Sequence, residues 1–232
     1  MKFIEGILLV LSTGLLLITA EEHKCIPQKC TVNNTCLYDS LWKANTDIAN
    51  DVLKTEFLTL MVKGSLKAER YMKFTLQDIY YANEVTKLLN ILAKTARTSK
   101  DIKKFFIDMH SSYAGFTKYL LEEFRFKKFT ELIPSNAAKS YVDSYKALMK
   151  EKPIYFVIGL LPCSKLWPYI AQNLDISDSS PYIDFKNGNM KDDSWKRFGE
   201  LLETHRCKIK ENKAHKIFRS HMKHEYLFFH SQ

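Results

Sequence analysis

"SLKAERYMKFTLQDIYYANEVTKLLNILAKTA" (Ser65–Ala96) contains neither Gly nor Pro. It is rich in Leu, Lys, Ala and other good helix formers, so it predicts one long helix, with Ser65 as a candidate cap. The stretches on either side read the same way. Upstream, "LYDSLWKANTDIANDVL" (Leu37–Leu53) places Leu37, Leu41, Ile48 and Leu53 at near-helical intervals. "FLTLMVKG" carries that pattern to Gly64, a natural stop. Downstream, "SKDIKKFFIDMHSSYAGFTKYLLEEFRFKKF" (Ser99–Phe129) predicts a second long helix with a candidate break at Gly115. Pro134 interrupts the chain, and Ser135 or Asn136 can cap "AAKSYVDSYKALM". Pro153 opens the apolar run "IYFVIGLLP" (Ile154–Pro162), which ends at Cys163; "DISDSSP" (Asp175–Pro181) reads as a loop. "DDSWKRFGELLETHRCKIKENKAHKIFRSHMKHEYLFF" then closes the chain as helix. No alternating strand pattern stands out. The expected fold is all-α, a single-domain bundle of about seven or eight helices with side chains converging on a common interior.

At 232 residues and 46% hydrophobic, the chain can bury one sizeable core. Its formal charge of +9 is spread along the chain, with no dense Lys/Arg block. Loose attraction to polyanions follows from that, but no specific nucleic-acid site. The N-terminus differs from the rest. A short basic start is followed by "ILLVLSTGLLLITA" (Ile7–Ala20) and a polar "EEHK", the pattern of a secretory signal peptide cut near Ala20. Fourteen apolar residues are short for a bilayer span, which needs about 20. The expected organisation is a signal peptide at 1–20, a Cys-rich arm at 21–36 and a helical domain at 37–232. The protein would be secreted, with no membrane segment after cleavage. The five cysteines, Cys25, Cys30, Cys36, Cys163 and Cys207, suit an oxidising compartment. An odd count pairs four and leaves one thiol, and four paired cysteines allow three connectivities. Asn33 opens an N-x-T sequon within the arm, a glycosylation candidate in a secreted eukaryotic protein.

Several residues can carry chemistry, each with a plainer reading beside it. Asp78 sits mid-helix among Phe74, Leu76, Ile79 and Tyr80, facing either solvent or a pocket that Tyr81, three residues on, would share. Cys163 is a core thiol, half of a disulfide or a nucleophile, with Trp167 one turn later if the helix resumes after Pro162. Glu225, close to the terminus among Tyr226, Leu227, Phe228 and Phe229, is either a solvated end-of-chain residue or a buried acid with a raised pKa. His221, His224 and Glu225 form H-x-x-H-E, but no second acid–histidine pair with helical metal spacing accompanies them, so no metal site is expected. No phosphate-binding glycine loop or nucleophile-elbow motif is present.

The order of these signals is more specific than any one of them. "LQD-x-YY" (Leu76–Tyr81) lies on an early long helix. It is followed by a tyrosine-bearing helix after a proline break, "LLPC" (Leu160–Cys163), "P-Y-x-x-F" (Pro181–Phe185) and the terminal "H-E-Y-x-F" (His224–Phe228). This succession resembles the TenA / thiaminase II family on the haem-oxygenase-like all-α fold, from about Leu41 to Phe229, with the arm outside it. The resemblance implies hydrolysis of thiamin-derived aminopyrimidines, or of thiamin itself, without metal or organic cofactor. It makes Cys163 the nucleophile, Glu225 the acid and base, and Asp78 the acceptor for the pyrimidine's amine. Tyr81, Tyr141 and Phe228 become pocket walls. Trp167 stands where the family has a tyrosine, Asn189 replaces another tyrosine, and Phe185 replaces a tryptophan. The small-molecule partner would be a pyrimidine, and a homo-oligomer is compatible. With Cys163 unpaired, Cys25, Cys30, Cys36 and Cys207 would form two disulfides, at least one joining the arm to Cys207. The sequence marks no helper that would ionise Cys163. A non-catalytic secreted protein that binds a pyrimidine or thiamin on the same fold is the alternative.

Overall fold

The computed structural model describes residues 36–124, 133–190 and 194–232. The expected signal peptide, Cys25, Cys30 and Asn33 lie outside the described residues. Within them the chain forms ten α-helices and no strand. Leu37–Leu53 and its continuation break into α1 (Leu37–Lys43), α2 (Thr46–Leu53) and α3 (Glu56–Val62), so there are more helices than expected. Two buried polar side chains mark the breaks. Asn45 Nδ2 donates to the Leu41 carbonyl and Thr55 Oγ1 to the Val52 carbonyl, both at 2.8 Å. Each satisfies a carbonyl that a continuing helix would have bonded.

Gly64 ends α3 as its position suggested. At φ +66° it occupies the left-handed region, and Gly64 N–H bonds Met61 O while Ser65 N–H bonds Leu60 O. This is the paired 5→2 and 6→1 closure of a Schellman motif. Ser65 is therefore committed to closing α3, and Lys67 stands at the start of α4 (Ala68–Thr95) in its place. α5 (Lys100–Glu123) runs unbroken through Gly115. α6 (Asn136–Leu148) is capped by Ser135 Oγ, which accepts from Ala138 N–H at 3.1 Å.

α7 (Pro153–Asn173) continues through both Pro162 and Pro168. A helix-interior proline costs about 3 kcal/mol in an isolated helix, so burial must hold α7 together. Nearly every residue from Ile154 to Pro162 is out of solvent. α7 is long and apolar enough to cross a membrane, but it is mostly buried as the bundle's central helix. α8 (Ile183–Met190), α9 (Trp195–Thr204), a 3₁₀ turn at Arg206–Lys208 and α10 (Glu211–His230) complete the chain. α4 pairs with α5 along their lengths, and α10 packs on α7, α6 and α2. Arg70 Nε donates to the carbonyl of Gln232 at 2.8 Å. The C-terminus is thus tied to α4, and Glu225 is 1% exposed rather than a loose end-of-chain residue.

Candidate active site

Five helices bring the candidate residues together by same-face spacing. α4 contributes Asp78 and Tyr81 at i,i+3, and α6 contributes Tyr141 and Tyr145 at i,i+4. α7 carries Gly159, Cys163 and Trp167 on successive turns, and α10 carries His221, Glu225 and Phe228 in the same manner. α5 adds Tyr113.

The result is a cavity of about 290 Å³ lined by Asp78, Tyr81, Tyr113, Cys163, Trp167 and Asn189, with Ser112, Ser164 and Ser194 among the other wall residues. A narrower recess of about 10 Å³ continues inward, walled by Asp78, Tyr81, Tyr141, Trp167, Glu225 and Phe228. All seven expected catalytic and binding residues therefore meet at one place. No Lys, Arg or His side chain lines either space among the described residues.

Glu225 is held by two donors. Tyr141 O–H reaches Oε1 at 2.7 Å and Trp167 Nε1–H reaches Oε2 at 3.2 Å, and the Cys163 thiol also favours its charged form. These favour the carboxylate, but burial outweighs them and raises its pKa to about 7. Asp78 is also raised to about 7, by burial first and by the Glu225 charge second. It has no side-chain hydrogen-bond partner among the described residues, so its acceptor oxygens are available to a ligand.

Cys163 is the free thiol among the described cysteines. Cys36 and Cys207 are not free. Burial, then the charges of Glu225 and Asp78, pushes the Cys163 thiol well above its ordinary value, and hydrogen bonds from Tyr81 and Tyr113 oppose the shift. The Tyr113 hydroxyl lies 4.0 Å from the sulfur. The resting group is a protonated thiol beside a carboxyl poised near neutrality.

Four features were not read as part of this site in the sequence: Tyr145, Tyr113, Gly159 and His221, the last weighed only as a metal ligand. Tyr145 O–H contacts the hydroxyls of Tyr81 (2.9 Å) and Tyr141 (3.2 Å) and the Gly159 carbonyl (3.1 Å). His221, 2% exposed, packs edge-on against the Tyr145 ring with centroids 4.6 Å apart. Burial, helped by neighbouring His224, lowers its pKa to about 3, so its imidazole is neutral. Gly159 makes room for it, since an added Cβ would stand 3.1 Å from His221 Cε1. Tyr145, Gly159 and His221 each lie one turn from a residue that was read, and that spacing is the signal that could have found them. Tyr113 carries no such signal. Among the described residues no group of three or more His, Cys, Asp or Glu side chains is placed to hold a metal ion.

Over 167 residues the chain is 22% identical to the aminopyrimidine aminohydrolase of Staphylococcus aureus strain MRSA252, covering 66% of this chain and 73% of that protein. The same enzyme from strain USA300 matches equally. The fold superposes on a TenA homologue from Pyrococcus furiosus with a TM-score of 0.68, at 18% identity, covering 83% of this chain and 98% of that one. In sequence and in fold the chain is similar to TenA proteins. No family model matches the chain. A second TenA homologue, from P. horikoshii OT3, gives the same TM-score with 84% and 97% coverage. Trp167, where the resemblance puts a tyrosine, supplies Glu225 with a donor through its indole N–H. Asn189 lines the cavity and donates to the Phe185 carbonyl at 2.8 Å. Phe185 in turn packs against Trp167 with centroids 5.8 Å apart.

Proposed function

We propose that this TenA-like protein hydrolyses an aminopyrimidine, replacing the amine or thiazolium on the ring's methylene substituent with hydroxyl. The observation that carries this reading is the meeting of Cys163 and Glu225 at the inner end of an aromatic cavity, with the unpartnered Asp78 carboxyl beside them. A flat heteroaromatic fits between the rings of Tyr81, Tyr113 and Trp167. Asp78 accepts from its exocyclic amine. Walls without a cationic side chain among the described residues suit a neutral or positively charged ligand.

Glu225 is the helper that Cys163 requires. As its thiol proton passes to the Glu225 carboxylate, sulfur adds to an electron-poor ring carbon. Glu225, now protonated, delivers that proton to the departing amine, then takes one from the water that adds to the methylene carbon; a thiazolium departs as neutral thiazole without that proton. Ring electrons expel the sulfur, which recovers its proton. A group titrating near 7 can serve in both directions at neutral pH.

The proposal extends to processing. The chain would be cleaved near Ala20 and exported, with Cys25, Cys30, Cys36 and Cys207 in two disulfides. The test of function is turnover: the purified protein incubated with aminomethylpyrimidine should release ammonia, and with thiamin it should release the thiazole. Chromatography of the products decides between these substrates.

A further inference from the structure

Tyr145 is fully buried and lines neither space, so it does not touch the substrate. Its hydroxyl nevertheless faces three oxygens at 2.9–3.2 Å with a single proton to give. On one side stands Tyr81, which lines the cavity with Cys163 and whose hydroxyl favours the thiolate. On the other stands Tyr141, which hydrogen-bonds Glu225. The hydroxyls of Tyr81, Tyr145 and Tyr141 therefore lead from the side of one reacting group to the other.

We propose that Tyr145 is a positioning residue that couples Cys163 to Glu225 through a hydroxyl chain whose direction reverses when the proton moves between them. This rests on reading Cys163 and Glu225 as the reacting pair. With Cys163 a thiol and Glu225 a carboxylate, Tyr81 donates to Tyr145, Tyr145 to Tyr141 and Tyr141 to Glu225. When the proton has moved to Glu225, the carboxyl donates to Tyr141, Tyr141 to Tyr145, Tyr145 to Tyr81 and Tyr81 to the Cys163 sulfur. One proton leaves sulfur and arrives at the carboxyl. Every phenol keeps its own proton and only rotates it. Each arrangement satisfies the contacts along the hydroxyl chain, leaving only the Gly159 carbonyl without the Tyr145 proton, and each solvates the anion present at that moment: carboxylate in the first, thiolate in the second.

The surroundings favour a relay of intact phenols. Burial raises all three well above the ordinary tyrosine value, so they stay protonated. His221 packs edge-on against the Tyr145 ring and holds it in place.

The test is the rate at which iodoacetamide alkylates Cys163 at neutral pH, followed by peptide mass. This requires no substrate and so stands apart from the hydrolase reading. Tyr145→Phe keeps the ring and should slow alkylation about tenfold, since the sulfur loses a donor aligned to it. In a Glu225→Gln background, where the side chain cannot receive the proton, the same change should cost less than about twofold. Tyr81→Phe should slow alkylation as Tyr145→Phe does, and the double variant should be no slower than either single. If the enzyme turns over, Tyr145→Phe should lower kcat and leave KM unchanged. Equal slowing in both Glu225 backgrounds, slowing in neither, or additive slowing by the two phenylalanines would overturn the coupling.

Discussion

The indole N–H of Trp167 reaches Glu225 Oε2 across 3.2 Å, from one turn beyond Cys163 on α7. The indole therefore supplies a donor to the carboxyl proposed to do the proton chemistry. Trp167→Phe keeps a ring in the wall and removes only that donor. Losing a donor to the carboxylate makes Glu225 hold its proton more tightly, so its pKa should rise further above about 7. The acid limb of the kcat profile should move to higher pH, and kcat at neutral pH should fall about tenfold. A pH–rate series on the two proteins checks this.

Asp78 should trade stability for binding. Its native pKa of about 7 lies above the unfolded value of about 3.9. The folded state thus binds the proton more tightly, and the associated stability, full below pH about 4, is lost as pH rises through about 7. Asp78→Asn removes that loss. The variant should melt a few degrees higher than wild type at pH 8 and at the same temperature at pH 4. It should bind an aminopyrimidine more weakly, because an amide presents donors to the ligand's amine. Thermal melts at the two pH values, with and without ligand, measure both.

Gly159 is needed for close approach. A Cβ there would lie 2.6 Å from Leu148 Cδ1 and 3.1 Å from His221 Cε1. Gly159→Ala should cost about 1–3 kcal/mol through overpacking, visible as a lowered melting temperature. It should also reduce turnover, because the His221–Tyr145 packing behind Glu225 must shift.

How much of this was legible in sequence depended on spacing. The long helix around Asp78 read correctly because nothing in it breaks a helix. The breaks at Asn45 and Thr55 did not, because a buried Asn or Thr bonding back to a carbonyl looks like any polar residue in a helical pattern. Glu225 was ambiguous for a physical reason. Nearness to the terminus argues for fraying, and only the Arg70–Gln232 contact, 162 positions apart, shows the end tied down. Cys163, Asp78, Tyr81, Tyr141, Trp167 and Phe228 were readable as a set through family order. Their hydrogen bonding was not, because Tyr145 and His221 join it only when α6, α7 and α10 meet.

The arm is open to a direct check. Protein expressed in a secreting host should begin at Glu21. A non-reduced peptide map should find Cys163 alkylated and Cys207 linked to an arm cysteine. A map that places Cys163 in a disulfide would remove the nucleophile.

The central claim is that Cys163 forms the bond that breaks the substrate. Ammonia release from aminomethylpyrimidine should be measured for wild type, Cys163→Ser and Glu225→Gln, with ligand affinity measured on the same preparations. The account predicts product from wild type and loss of nearly all turnover in both variants, at affinities within about threefold of wild type. Turnover that survives Cys163→Ser would contradict it. Binding by the wild type without product would do so as well, and would make this protein a pyrimidine binder.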